Sequence, residues 1–224
     1  MTESEWNGCT DARTMLAFLR GKVAPRKLRQ FAVAYCRSLY QAGYGPPEGR
    51  QAFDTVERFL AGRTSQGEVD RAYRAAKTTA EAADRRASHP DEESAEAALA
   101  LLEACDAATY AAVANPDAQS AAEGVVEHLA RDEGRKDPCA VLRDVVSNPF
   151  RPVALAHAWL EANDSRVMVL ARGIHESGRF ADLPLLADAL EQAGCTDEVI
   201  LNHCRVATDH VRECWVVDLC RGAP

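Results

Sequence analysis

The sequence predicts an all-α protein, a multi-helix bundle or irregular helical array of roughly eight to ten helices. Two observations carry that expectation. Alanine is abundant while aromatic residues make up only 6% of the chain, a balance that suits helices packed closely through small side chains. Apolar residues recur at helical spacing between glycine, proline and capping residues along most of the length, and no β-hairpin signal interrupts the pattern.

At the N-terminus, Trp6 is expected to anchor residues 2–11 by burying its ring. Thr10 is placed to cap a helix carrying Met15, Leu16, Phe18 and Leu19, with Gly21 ending it. Pro25 fits the first turn of a second helix, whose inward face reads Leu28, Phe31, Ala32, Tyr35, Cys36 and Leu39. Arg20, Lys22, Arg26, Lys27, Arg29 and Arg37 make the basic concentration of the chain, which a solvated helix surface explains. Gly43, Gly45, Pro46 and Pro47 break the chain before a helix with Phe53, Val56, Phe59 and Leu60, closed by Gly62. Ser65 and Glu68 form a capping-box pattern for a longer helix through Tyr73.

From about Lys77 the composition changes. Residues 80–87 and 92–114 are alanine-rich, with a loop at Ser88-His89-Pro90 between them. Leu99, Leu101, Leu102, Tyr110 and Val113 give the second stretch a modest apolar stripe. Asn115-Pro116 starts a helix with Val125, Val126 and Leu129 facing inward, and the charged residues 131–136 read as a linker. Three segments follow: an N-terminal helical part, 1–76; an alanine-rich helical elaboration, 77–136; and a C-terminal helical part, 137–224, expected to pack with the first as one domain.

Asp137-Pro138 opens a short helix through Val141, Leu142, Val145 and Val146. Asn148-Pro149-Phe150-Arg151-Pro152 is expected to be extended, since each proline disfavours the α region for its predecessor. Asp164 is placed to cap a helix with Val167, Leu170, Ala171 and Ile174. Residues 180–222 then carry the densest apolar patterning. Leu183, Leu185, Leu186, Ala189 and Leu190 form one helix closed by Gly194, and Thr196 caps a second through Val199, Ile200 and His203 or Cys204. A third is expected from about Asp209 to Leu219, with Asp209 as its cap.

The formal net charge is −8, which argues against nonspecific binding to nucleic acid or anionic membrane. Residues 1–11 lack the basic and apolar pattern of a signal peptide, and no apolar stretch approaches the roughly 20 residues of a membrane span. A cytoplasmic location with reduced thiols is the expectation. Partners, on this reading, are an unknown protein, not nucleic acid or membrane.

Phosphate-loop, nucleophile-elbow and zinc-protease helix motifs are missing. His175-Glu176 resembles the start of the last, but Arg179 stands where its second histidine belongs. The chemistry-bearing residues concentrate near the C-terminus: Cys195, His203, Cys204, His210 and Cys214. His210 and Cys214 lie four apart and would share one helix face, with His203 or Cys204 approaching from the preceding helix and Cys195 as a fourth ligand. Their spacing does not follow the paired pattern of structural zinc sites, and the apolar residues nearby suffice for a core. No catalytic residue and no cofactor are therefore assigned, and no stoichiometric zinc is expected.

Several strings resemble a family. They are Glu5-Trp6, Cys9-Thr10-Asp11, Phe18-Leu19-Arg20-Gly21-Lys22 and Arg26-Lys27-Leu28-Arg29 near the start. Near the end are Asn148-Pro149-Phe150-Arg151-Pro152-Val153, Leu170-Ala171-Arg172-Gly173-Ile174, Leu186-Ala187-Asp188-Ala189-Leu190, His210-Val211-Arg212 and Cys214-Trp215-Val216-Val217-Asp218. Together they resemble an uncharacterised, heavily duplicated family of planctomycete bacterial proteins. The resemblance implies no activity, and its occurrence beside unrelated domains suits an interaction module. The chain departs from the family around residues 33–36, where relatives are richer in cysteine and this one has only Cys36. The functional expectation is a noncatalytic protein-interaction or scaffold module, with a small metalloprotein or enzyme using the C-terminal Cys/His cluster as the alternative.

Overall fold

The computed structural model describes residues 1–87, 95–129, 136–206 and 210–222. Among them the regular elements are all helical, and there is no strand. In order they are α1 (Glu3–Gly8), α2 (Ala12–Leu19), α3 (Pro25–Gln41), α4 (Pro47–Leu60), α5 (Gln66–Ala87) and α6 (Ala95–Val113). Then come α7 (Ala118–Leu129), α8 (Pro138–Val146), α9 (His157–Ser177), a 3-10 turn (Phe180–Asp182), α10 (Leu183–Gln192), α11 (Glu198–Arg205) and α12 (Trp215–Cys220). The all-α expectation holds. No described helix is long and apolar enough to cross a membrane.

The chain divides into two compact units: Cys9–Cys139, and Met1–Gly8 together with Ala140–Pro224. In the first, α5 runs unbroken past position 77 and packs against α4 and α6, while α7 packs against α3 and α6. The alanine-rich helices thus share one body with α2–α4. The loop expected at Ser88-His89-Pro90 and most of the linker 131–136 lie outside the described residues. So do the side chains of Leu99 and Leu101. Tyr110 and Val113 are buried as their spacing predicts, but Leu102 is 64% exposed.

The start of α2 shifts by one residue from expectation. Asp11, not Thr10, is the cap: its carboxylate accepts the Arg13 N–H at 3.0 Å and the Thr14 hydroxyl at 2.6 Å. The basic residues are mostly consumed inside the unit. Arg26 donates to the Leu60 carbonyl, Arg29 to the carbonyls of Asn115 and Pro116, Arg20 pairs with Glu123 and Arg37 with Glu57. Several long cations therefore staple helix ends and loops together. Arg29 is itself only 4% exposed, so two carbonyl acceptors replace the water it has lost.

Tyr110 is the keystone of this unit. Its ring meets Phe53 edge-on at 6.3 Å, and its hydroxyl donates to the Tyr44 carbonyl at 2.9 Å. Two glycines make room for it. A Cβ on Gly49 would stand 2.9 Å from the Tyr110 Cβ, and Gly45 combines a φ of +89° with an approach of 2.3 Å.

In the second unit, α1 is bound in by Arg143, whose Nε and Nη2 both donate to the Trp6 carbonyl, and by Glu3, which accepts from Asn148 and pairs with Arg151. Trp6 is buried, as expected. Residues 148–151 form a turn instead of an extended run: the Arg151 N–H reaches the Asn148 carbonyl at 3.1 Å and the Phe150 N–H reaches Asn148 Oδ1 at 2.9 Å. Pro149 occupies the second turn position, where its fixed φ fits. Helix α9 begins upstream of the expected cap and passes through Asp164 and Ser165 at φ of 56° and 58°, a left-handed jog in its path.

The core of this unit gathers Val167, Ile174, Leu183, Leu186, Leu190, Ile200, Trp215 and Val216 from α9–α12. Asp197, one residue after the expected Thr196, caps α11 by accepting the N–H groups of Val199 and Ile200. The last helix is shorter than expected. It starts at Trp215, and Asp209 lies outside the described residues.

The glycine beside Tyr110 gives a contrast within one unit. Both Gly49→Ala and Gly67→Ala replace a helical glycine, a change otherwise favourable by up to about 1 kcal/mol. Gly67 has only the Ser65 hydroxyl oxygen at 3.8 Å near its added methyl, whereas Gly49 has the base of the Tyr110 side chain. Denaturant unfolding should show Gly49→Ala destabilised and Gly67→Ala unchanged or more stable.

Candidate metal centre

Asp144 projects from α8, on the same helix as the buried Val141, Leu142 and Val145. His203 projects from the last turn of α11. His210 and Cys214 come from the segment between α11 and α12, where a turn closes through the Cys214 N–H on the Val211 carbonyl at 3.0 Å. One donor atom from each of these four side chains lies within 4.8 Å of every other. Among the described residues this is the sole grouping of its kind.

Of the five sequence candidates, the structure brings His203, His210 and Cys214 together and leaves Cys195 and Cys204 in the apolar core. His210 and Cys214 do not share a helix face, since both precede α12; a turn produces their approach. The missing fourth donor is Asp144. A signal for it existed in the sequence: an aspartate set among Val141, Leu142, Val145 and Val146 is an ionisable group on an inward face, which needs partners.

Those partners are well defined. Asp144 Oδ1 lies 2.7 Å from His210 Nδ1 and 3.1 Å from His203 Nε2, and Oδ2 accepts the Val211 N–H at 2.7 Å. Burial opposes ionisation of this carboxyl, but the hydrogen bonds from the two histidines and Val211 outweigh it and hold it well below the usual carboxylate range. Cys214 Sγ stands 3.2 Å from His203 Nε2. Burial pushes this thiol well above its ordinary value, with the Asp144 charge acting in the same direction. Burial likewise raises Cys204, to about 12, and raises Cys195 and Cys220.

Aromatic rings wall the cluster. The His203 and His210 rings meet at 4.9 Å, Trp215 lies 5.0 Å from His203, and Phe180 lies 6.4 Å from His210. The Trp215 indole N–H donates to His203 Nδ1 at 3.3 Å. His175 lies apart from the cluster, with Nδ1 3.1 Å from the Arg212 carbonyl; since a carbonyl only accepts, that nitrogen carries the proton.

This geometry does not make a Cys–His–Asp catalytic triad. A triad histidine uses one nitrogen for the nucleophile and the other for the orienting carboxylate. Here His203 Nε2 faces both the thiol and the carboxylate, while Nδ1 receives the indole. The thiol is also fully buried and held protonated, the opposite of an activated nucleophile. Four donors aimed inward at one another are instead what a cation requires. Comparison with protein-family models, curated proteins and solved structures finds no match to this chain.

The Asp144 environment sets a pH dependence. Its folded-state pKa is depressed, so it stabilises the fold above the unfolded value of about 3.9 and loses that contribution as pH falls below it. In chelator-treated protein, unfolding free energy should therefore fall along the acid limb below about pH 4–5. Asp144→Asn should be less stable at neutral pH, by about 3 kcal/mol or more, and should show a shallower acid limb.

Proposed function

We propose that the C-terminal unit is a noncatalytic helical module stapled by a structural transition-metal ion on Asp144, His203, His210 and Cys214. The observation that carries the proposal is the convergence of these four donors from three stretches of chain inside one core. Two imidazoles, a carboxylate and a thiolate suit tetrahedral zinc, and a set of four protein ligands leaves no position for substrate. A zinc ion would separate neighbouring donor atoms by roughly 3.3–3.8 Å, from the bond lengths of about 2.0–2.3 Å it prefers. The closest pairs here stand at 2.7, 3.1 and 3.2 Å, so side-chain rotations would open the cluster to that size. Binding through His203 Nε2 would also move the imidazole proton to Nδ1 and require the Trp215 indole N–H to turn away from it. The ion would supply the positive charge that lets Cys214 ionise inside the core.

The proposal departs from the expectation of an ion-free C-terminal core. That expectation took Cys195 as the natural fourth ligand, and Asp144 provides a donor set that the spacing of the C-terminal residues did not contain. For the chain as a whole the role remains that of an interaction or scaffold module, supported by its acidic, alanine-rich helical body and by the unsuitability of the cluster for a triad. A second reading is favoured by one contact. With Trp215 donating to Nδ1, His203 carries its proton on Nε2 and gives it to Asp144, so the cluster is also satisfied as a hydrogen-bonded hub without an ion.

Elemental analysis and zinc titration against a chromophoric chelator separate the two. The metal reading expects one equivalent of zinc per chain and a lower Tm after chelation. It also expects loss of that equivalent in Cys214→Ser and His210→Ala, and its retention in Cys204→Ser, another buried thiol of the same core. A protein that takes up no zinc and melts at the same temperature with and without chelator is the hydrogen-bonded hub instead.

A further inference from the structure

The four donors are not equally sheltered. Cys214 is fully buried, the His210 and Asp144 side chains are 4% and 8% exposed, and that of His203 is 19% exposed. The exposed part of His203 opens into a cleft of about 440 Å³, lined also by Arg151, Glu198, Val199, Asn202 and Val206. On its other sides the cluster is bounded by the Trp215 indole, the Phe180 ring and the Val211 backbone.

We infer that this cleft is the route by which a hydrated divalent transition-metal ion reaches and leaves the centre, an inference that rests on the metal reading above. Glu198 and Asn202 lie four residues apart on α11, as do Val199 and His203, so the two pairs run side by side on the helix face that lines the cleft, with Val206 just beyond the helix end. Glu198 and Asn202, which line the cleft, carry a carboxylate and an amide oxygen, both hard donors able to replace water on an incoming cation. Among the described residues that line the cleft, the guanidinium is that of Arg151, which is paired with Glu3 at 2.5 Å, and this offsets its repulsion. His203, the most exposed of the four, is then the ligand nearest the cleft, and its ring turns to bring Nε2 to the ion. Asp144, His210 and Cys214 follow from behind it as the ion sheds its remaining water.

The test measures rates as well as stoichiometry, with zinc alone as the probe and a chromophoric chelator as donor or acceptor. Asn202→Trp fills the cleft from an exposed position; it should slow loading and stripping together by about tenfold or more, leaving one equivalent bound and Kd unchanged. Glu198→Gln should slow loading by several-fold and reduce its salt dependence, since the lost charge acts through steering. Leu185→Trp, an exposed site on α10 outside the cleft, should load at the unaltered rate. Full stoichiometry with unaltered rates in both cleft variants would overturn the route while leaving the metal centre standing. No binding by the unaltered protein would overturn both.

Discussion

The C-terminal unit depends on one buried carboxylate. Asp144 sits among valines and leucines, where an uncompensated charge would be untenable, and it is retained because three donors reach it from elsewhere in the unit. Those donors come from the last turn of α11 and from the segment ahead of α12. The carboxylate therefore fixes where α11 ends, how the following turn folds back and where α12 begins. An apolar residue of the same size would remove the acceptor that the Val211 N–H and the two imidazoles share.

The same residue types can serve catalysis or structure, and direction separates the two. An acid–base machine lines its groups up so that a proton can pass from one end to the other. Here the groups close a ring, with the carboxylate and thiol both facing the same imidazole nitrogen and the indole occupying its far side. Such an arrangement holds its members still. It also ties together parts of the chain whose short helices, of six to ten residues, would be marginal in isolation.

Most of the helical architecture was legible because it rests on local rules. Pro25 at the start of α3, the apolar face from Leu28 to Leu39, and the break at Gly43 to Pro47 all appear where spacing and punctuation put them. Caps were misplaced by one residue at Thr10 and Thr196, because an aspartate follows each and its carboxylate is the stronger acceptor at a helix start. The centre was half legible. His203, His210 and Cys214 stood out as residue types, but their approach comes from a turn that helical spacing does not describe. Asp144 contributes through tertiary folding alone, and Cys195 and Cys204 proved to be core thiols.

The eight-residue segment around Trp6 belongs to the unit built from Ala140 onward, with the whole of the other unit intervening in sequence. Arg143 places two N–H groups on the Trp6 carbonyl, and Glu3 holds Asn148 and Arg151. During synthesis this segment is made before the intervening unit, whereas its partners Arg143, Asn148 and Arg151 are made after that unit. It must wait, with its indole in water, while the intervening unit completes its own core. The order of translation and the order of assembly are thus reversed for this segment. A fragment beginning at residue 140 would emerge with Arg143 lacking its acceptor and with the Trp6 site unfilled.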